Sequence, residues 1–160
     1  MNNPQWFDLS GDWEWLQGVA DERDAKKSGY ASERLLCRYS SNFLGLLGED
    51  IVCKVLGVPL DTTYRPEGDG GMDFIKNGIR GDAKATPCLN RPHLIVEPEK
   101  VERSDYFILT PIDMDRKQGY IRGWLSRDEV RNLPLKSFGG RKPQRASRDI
   151  HPGLPPALLG

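Results

Sequence analysis

The sequence predicts one mixed α/β domain in which a central sheet is flanked by helices. Three observations predict it: a proline-free apolar segment over residues 31–57, an Asn-Gly pair between alternating segments over residues 72–86, and strand-like runs at 105–110 and 119–124. A chain of 160 residues can bury a core without disulfide or metal staples. We expect a single domain over 1–160, with a peripheral segment at 1–30, the core at 31–135 and a basic tail at 136–160.

Composition restricts the class of protein. The 23 basic and 23 acidic residues balance, which disfavours a protein that coats nucleic acid by bulk charge alone. No apolar run approaches the ~20 residues that span a bilayer, and the first residues lack the pattern of a secretory signal. The three cysteines form neither a zinc pair nor a disulfide framework, so we expect a reducing cytoplasm. From the absence of a long apolar run we expect no membrane partner.

Helices are predicted at the N-terminal side of the chain. A short helix is expected over residues 12–25, and two consecutive helices, or one broken one, over 31–57. The second of these should span about 40–56, since Gly57 and Pro59 are stop signals. Its apolar residues surround the helix, which predicts burial on most sides. Glu49 lies among them, and a buried carboxylate needs a partner.

A hairpin is predicted next. Asn77-Gly78 favours a two-residue type I′ turn, which places Asp73 opposite Asp82 at a close, non-hydrogen-bonded position. Alternation then directs Asp82 and Lys84 to one face together with Asp73, Ile75 and Arg80. The opposite face is apolar and consists of Phe74, Ile79, Ala83 and Ala85.

The remaining segments are less regular. Residues 59–71 and 111–118 are expected to be loops, and 94–103 an irregular or helical connector. Strands are expected at 105–110 and 119–124. Ser126 with Glu129 three residues later forms a capping box, which predicts a short helix over 126–130. The tail is expected to wrap the surface as a loop.

The opposed aspartates point to metal chemistry. Like charges directly opposite in a sheet repel, and a divalent cation between Asp73 and Asp82 would offset that repulsion. Hard oxygen ligands select Mg²⁺ or Mn²⁺, and the backbone carbonyl of Ala83 is a further candidate ligand. Such an ion can activate water and stabilise charge on a phosphate, while Lys84 holds or deprotonates the water or neutralises the transition state. Two alternatives remain open: an exposed network that Arg80 neutralises, and Asp69 as the first ligand.

Basic residues near the C-terminus suggest a contact with nucleic acid. Arg141, Lys142 and Arg145 lie on a glycine-containing stretch and could contact phosphates. His93 and His151 have no partner at metal-ligand spacing, so histidine-based chemistry is disfavoured.

The sequence resembles the PD-(D/E)xK nucleases, the restriction-endonuclease-like superfamily, over roughly residues 41–130. The resemblance rests on motifs in a particular order, with Met72 in place of the motif's proline. The motifs are Gly48-Glu49 in an apolar helix, Gly70-Gly71-Met72-Asp73, Asp82-Ala83-Lys84, a strand at 105–109 and a Gly-Trp strand with an acidic helix at 123–130.

This resemblance implies an αβββαβ core, Mg²⁺ or Mn²⁺ as cofactor and DNA, double- or single-stranded, as partner. Asp73 and Asp82 would be metal ligands, Lys84 the catalytic lysine and Glu49 an additional carboxylate that positions metal or water. It implies that water attacks DNA phosphodiester bonds and leaves a 5′-phosphate. The expected location is a bacterial or phage-infected cytosol. A homodimer is expected where both strands are cut. The alternatives are a non-catalytic DNA- or protein-binding module of the same fold and a structure-specific endonuclease for Holliday junctions or flaps.

Overall fold

The computed structural model describes residues 4–26, 40–62, 73–140 and 142–160. Several predicted features lie at least partly outside these ranges. They are the earlier of the two helices expected over 31–57, the loop that contains Tyr64, Arg65 and Asp69, and the single residues Met72 and Arg141. The elements in chain order are β1 (Phe7–Asp8), α1 (Trp13–Lys26), α2 (Ser41–Leu56), β2 (Phe74–Lys76), β3 (Ile79–Thr86), β4 (Leu94–Val96), a 3₁₀ helix (Pro98–Arg103), β5 (Tyr106–Asp113), β6 (Gln118–Gly119), β7 (Gly123–Ser126), α3 (Arg127–Arg131), β8 (Leu135–Lys136), β9 (Gln144–Ser147) and a second 3₁₀ helix (Pro156–Leu158).

The helix α2 forms where the sequence predicts it. The Ser40 hydroxyl accepts a hydrogen bond from the Phe43 amide and caps its first turn, and Gly57 ends it with a φ of 71°. A left-handed residue at this position is the usual stop of a helix, and glycine adopts it without steric strain. The predicted burial is also confirmed, since nine of its residues are buried.

The main sheet is mixed, with the strand order β1-β6-β5-β3-β2, and β7 pairs with β5. The β2–β3 pair is antiparallel and has the predicted register, with Phe74 opposite Gly81 and Lys76 opposite Ile79. Asn77 and Gly78 have φ values of 53° and 75°, which confirms the type I′ turn. β3 and β5 run parallel, and this pair forms the centre of the sheet.

One face of the main sheet packs against α1 and α2. Phe74 and Ala83 share a core cluster with Val52 and Cys53 of α2, as expected for the apolar face of the hairpin. The expectation of a peripheral N-terminal segment is wrong, because Trp13 and Leu16 lie within a buried cluster with α2 residues. Helical spacing puts these two apolar residues on one side of α1, which is the side that faces α2.

The other face is covered by a small three-stranded sheet of order β4-β9-β8. Leu94 and Val96 of β4 form a core cluster with Phe107 and Leu109 of β5. The connector expected at 94–103 is helical over Pro98–Arg103, as predicted, but it begins with the strand β4. The expectation of a tail that is only loop is wrong, because the tail contains strands and the fully buried Leu158. Pairing with β4 orders the tail, because β9 gains backbone hydrogen bonds on both of its edges.

The expected loop at 111–118 is shorter than predicted. β5 continues through Pro111 to Asp113, because Ile112 is fully buried in the cluster with α1 and α2. The Pro111 carbonyl accepts a hydrogen bond from the Tyr120 amide, so the missing proline N–H does not disrupt this pairing. The strand expected over 119–124 is split into β6 and β7.

The short helix after β7 is as predicted. Ser126 and Glu129 form both hydrogen bonds of a capping box at the start of α3. The molecule is therefore a mixed α/β protein with a curled mixed sheet and helices. Within the described ranges, none of the helices combines the length and apolar character needed to cross a bilayer.

Candidate active site at the end of the β2–β3 hairpin

Asp73 stands directly before β2 and closes the open end of the hairpin. Its amide donates a hydrogen bond to the Gly81 carbonyl at 2.8 Å, and its Oδ2 accepts one from the Ala83 amide at 2.7 Å. The N–H and C=O of one strand residue point to the same edge. The Ala83 carbonyl therefore points to the edge of β3 at which Asp73 lies, as a shared metal ligand would require.

Asp82 and Lys84 form a buried ion pair on the face opposite the apolar side of the hairpin. Lys84 Nζ lies 2.9 Å from Asp82 Oδ2, and the side chains are 25% and 6% exposed. Their neighbours in the parallel register are Phe107 and Leu109 of β5, both fully or almost fully buried. An aspartate and a lysine in such apolar surroundings are unusual unless they are paired.

The electrostatics of Lys84 reflect several nearby carboxylates. Burial alone lowers the pKa of Lys84, but the charge and hydrogen bond of Asp82 and the charges of Asp73 and Glu97 outweigh it. The pKa of Lys84 therefore lies above its usual value. The side chain is an ammonium in this arrangement, which suits charge neutralisation better than proton abstraction.

Glu97 is a member of this group that sequence reasoning missed. It directly follows β4, is half-buried and pairs with Lys100 at 3.4 Å. Its relation to Lys84 depends on how the small sheet packs on β3 and β5. That packing joins segments distant in sequence, and no local pattern around Glu97 reveals it.

The argument for Glu49 changes with the structure. Glu49 is half-buried, whereas the adjacent Asp50 is only 3% exposed. Asp50 is paired with Lys54 at 3.2 Å, and Lys54 also pairs with Asp12. The buried carboxylate that needs a partner is thus Asp50, and its lysine four positions later on α2 was the available signal.

Glu49 is placed by the packing of α2. The adjacent Gly48 lies against Ala85 and Thr110, so α2 covers the face of β3 opposite Asp82 and Lys84. The charge of Glu49 contributes, after burial, to a Cys53 pKa of about 12. The role of Glu49 at the site stays a prediction.

The donor set fits a two-carboxylate metal site. Among the described residues, no three His, Cys, Asp or Glu side chains form a group that could hold an ion, so Glu49, Asp73 and Asp82 are not assembled as a trio. Mg²⁺ needs only one or two carboxylates, since water and substrate phosphate complete its coordination. Asp73, Asp82 and the Ala83 carbonyl supply hard oxygen atoms of that kind.

Arg80 does not act as the neutralising partner that the exposed-network alternative assumed. Its guanidinium lies 3.6 Å from Asp105, and its amide donates to Asp105 Oδ2 at 2.9 Å. Arg127 binds the same carboxylate at 3.3 Å. Asp105 therefore organises a separate cluster of cations at the start of β5, and Lys84 is the cation that pairs with Asp82.

The predicted DNA-contacting residues have different environments. Lys142 is exposed, whereas the Arg145 guanidinium donates to the Leu133 carbonyl at 2.6 Å and is only partly exposed. Arg141 lies outside the described residues. His151 contacts Glu129 at 2.7 Å and stacks near Trp124, so it has a structural partner that the sequence did not reveal.

Comparisons with protein-family models, with curated proteins and with solved structures find no match to this chain. The functional argument therefore depends on the arrangement of Asp73, Asp82 and Lys84.

Proposed function

We propose that the protein is a metal-dependent nuclease that hydrolyses DNA phosphodiester bonds. One observation supports the proposal: Asp73 accepts a hydrogen bond from the amide of Ala83, the residue between Asp82 and Lys84, and these two form an ion pair in which Asp82 is 6% and Lys84 25% exposed. A purely structural Asp82–Lys84 pair would not need a second carboxylate at the same edge of β3.

Each residue has a distinct role in this proposal. Asp73, Asp82 and the Ala83 carbonyl would hold Mg²⁺ or Mn²⁺, and the bound ion would supply an activated water and stabilise charge on the phosphate. Lys84 donates to a phosphate oxygen and neutralises charge that develops in the transition state. The hydrogen bond from the Ala83 amide to Asp73 fixes one carboxylate oxygen in advance of binding.

The proposal extends to a restriction-endonuclease-like fold. The supporting features are α2 packed on the sheet, the β2–β3 hairpin and β5 parallel to β3. One feature departs from the αβββαβ order: the connection from β3 to β5 contains β4 and a 3₁₀ helix instead of an α-helix. Such an enzyme would act on DNA in a bacterial or phage-infected cytosol. It would act as a homodimer if it cuts both strands.

Cleavage assays with metal controls test this proposal. Supercoiled plasmid and single-stranded DNA are incubated with Mg²⁺, with Mn²⁺ and with EDTA. We expect cleavage with either ion and none with EDTA. We expect the cleavage rate to fall about 100-fold or more in each of Asp82→Asn, Asp73→Asn and Lys84→Met. Such a fall corresponds to a loss of several kcal/mol of transition-state stabilisation.

Matched substitutions separate chemistry from general damage. Asp115→Asn removes an exposed carboxylate in the turn after β5, and Lys76→Met removes a lysine at the hairpin turn; both should retain the full rate. Cleavage that persists in EDTA or in Asp82→Asn would refute the mechanism.

A non-catalytic binding module is the second candidate. The direct Asp82–Lys84 pair favours it, because these groups satisfy each other in the protein alone. Binding of DNA without cleavage under every metal condition would support this candidate and reject the nuclease. Branched oligonucleotides in the same assay report whether junctions or flaps are preferred.

A further inference from the structure

The face of the main sheet that bears the candidate active site can be followed along β3. Ala85 lies against Gly48 of α2 and therefore points to the helical side of the sheet. Alternation directs Asp82, Lys84 and Thr86 to the other face. Lys84 reaches solvent there, since its side chain is 25% exposed.

A row of residues crosses the sheet on this face at the end of β3. Thr86 is opposite Pro111 in the parallel pair of β3 and β5. The Tyr120 amide donates to the Pro111 carbonyl at 3.1 Å, which continues the β5–β6 register by one step. One step beyond the β1–β6 pairs, Trp6 is opposite Tyr120. Residues opposite each other in neighbouring strands share a face, so Trp6 and Tyr120 lie on the face of Lys84.

Trp6 and Tyr120 form an aromatic pair at the end of this row. Their ring centroids are 4.8 Å apart and their planes meet at 67°. Such an edge-to-face contact covers at most one face of one ring. The small sheet covers Phe107 and Leu109 on the same side of the main sheet, whereas Trp6 is 39% exposed. A ring face of the aromatic pair is therefore open for stacking.

Arg122 places a cation between the aromatic pair and Lys84. Its amide donates to the Leu109 carbonyl at 2.9 Å, and Leu109 is the partner of Lys84 in the β3–β5 pair. Ile121 packs against the two clusters on the α2 side. Tyr120 and Arg122, on either side of Ile121, therefore face away from α2, and Arg122 is exposed.

Carboxylates limit this surface on its other side. Asp8 and Asp113 are both opposite Gln118, one row beyond the aromatic pair on the same face. Phosphates are repelled there, so a nucleic-acid backbone has to run on the Arg122 side of the aromatic pair.

The distance between the aromatic pair and the candidate active site fits a short piece of a single strand. Lys84 and Thr86 are about 6.6 Å apart along β3, and Tyr120 lies two strands, or about 9.6 Å, from Thr86. The backbones of Lys84 and Tyr120 are thus about 12 Å apart. Phosphates along one strand of a duplex are about 3.4 Å apart along the axis, so about four nucleotides or fewer bridge this distance.

We propose that the aromatic pair stacks on an unpaired base of a single-stranded DNA segment whose phosphate lies at Asp82 and Lys84. Arg122 contacts a phosphate between these two points. This inference rests on the proposed nuclease function and names its substrate class, a strand with unpaired bases. Every base has a ring face, so exposed aromatic rings beside a cation bind such strands without a requirement for sequence.

Binding is measured separately from cleavage, by fluorescence anisotropy in EDTA. Two labelled single strands of equal length serve as probes: one has a mixed sequence, and the other has abasic sites in place of its bases. We expect Trp6→Leu to weaken binding of the mixed-sequence strand about 5-fold or more, because it removes the ring on which a base stacks. The same change should leave binding of the abasic strand unaltered, and Trp6→Phe should retain most of the affinity.

Matched variants control for exposure and charge. Trp15 is 53% exposed on α1, which packs on the opposite face of the main sheet, so Trp15→Leu should bind like the wild type. Arg122→Gln should lower the slope of log K against log salt by about 0.7, the value for one phosphate on a single strand. Lys76→Gln, at the hairpin turn, should leave that slope unchanged. Thermal melts verify that each variant folds.

Two results with these probes would overturn the proposal. One is equal affinity of the wild type and Trp6→Leu for the mixed-sequence strand, which includes an absence of binding by both. The other is an equal loss for the abasic strand, because a purely structural effect of Trp6 would weaken both strands alike.

Failure of this inference and failure of the proposed function give different results. Asp82→Asn should bind the mixed-sequence strand like the wild type while it loses cleavage. Base-dependent binding through Trp6 without cleavage in any metal would support the aromatic pair and reject the nuclease. Cleavage of single strands by Trp6→Leu with unchanged rate and affinity would support the nuclease and reject the aromatic pair.

Discussion

Removal of Lys84 should expose the energetic role of the ion pair. In Lys84→Met, Asp82 keeps a carboxylate that is 6% exposed and has lost its 2.9 Å partner, with Asp73 close to the same strand edge. Removing one member of a buried pair typically destabilises a protein by about 3–5 kcal/mol, because the remaining charge is uncompensated. We therefore expect a loss of about 3–5 kcal/mol in the free energy of unfolding.

The complementary variants complete a double-mutant cycle. Asp82→Asn leaves Lys84 near the carboxylates of Asp73 and Glu97 and partly in solvent, so we expect a smaller loss of about 1–3 kcal/mol. Asp82→Asn/Lys84→Met should lose less than the sum of the two, since neither charge remains alone.

Urea denaturation at pH 7 measures these losses through the midpoint and the slope. The exposed pair of Arg116 and Asp113 supplies a control, because Arg116→Met should change stability by less than about 1 kcal/mol. A loss below about 1 kcal/mol in Lys84→Met, or strictly additive losses in the cycle, would refute the reasoning.

Three further predictions follow from other parts of the molecule. A Cβ at Gly48 would lie 2.4 Å from Thr110 Oγ1, whereas one at Gly45 meets nothing within 4 Å. Urea denaturation should therefore show Gly48→Ala less stable by about 1–3 kcal/mol and Gly45→Ala more stable by about 0.5–1 kcal/mol; similar stabilities would contradict the packing of α2. Burial raises the pKa of Asp50 in the folded protein, and this effect outweighs the opposing effect of Lys54. Ionisation of Asp50 therefore destabilises the fold once the pH rises above the pKa that Asp50 has in the unfolded chain. Stability of Asp50→Asn relative to the wild type should consequently increase from pH 3 to pH 7, and a pH-independent difference would exclude this effect. Burial, and then the charges of Arg148 and Lys136, lower the pKa of His93. Lys136→Gln should therefore raise that pKa in an NMR titration, and an unchanged or lowered pKa would contradict this effect of Lys136.

Features that depend on local sequence could be predicted. The Asn77-Gly78 turn sets the register of the hairpin within a few residues, and the caps Ser40, Gly57 and Ser126 define the ends of their helices. The register set by that turn extends to Phe74 opposite Gly81, and the predicted pair of Asp73 and Asp82 lies one step beyond it. Each of these structures is determined by residues at most a few positions apart.

Features that depend on distant contacts could not be predicted. β9 has little apolar character, and only its pairing with β4 and β8 makes Gln144–Ser147 a strand. Which of Glu49 and Asp50 is buried depends on the rotation of α2 on the sheet, and the apolar residues on all sides of α2 leave that rotation undetermined in the sequence. The effect of the Glu97 charge on the pKa of Lys84 has a similar origin, in the packing of one sheet on another.

The pairing of β4 with β9 implies an order of assembly. β2 and β3 are joined by two residues, whereas Ile95 pairs with Ala146, which is 51 positions later (146 − 95). Contacts between distant residues must overcome the entropy of closing a long loop, and they form slowly. As the chain leaves the ribosome, the aspartates of the hairpin can meet well before the small sheet exists. The proposed ion site would then form before the second sheet of the fold during the synthesis of each molecule.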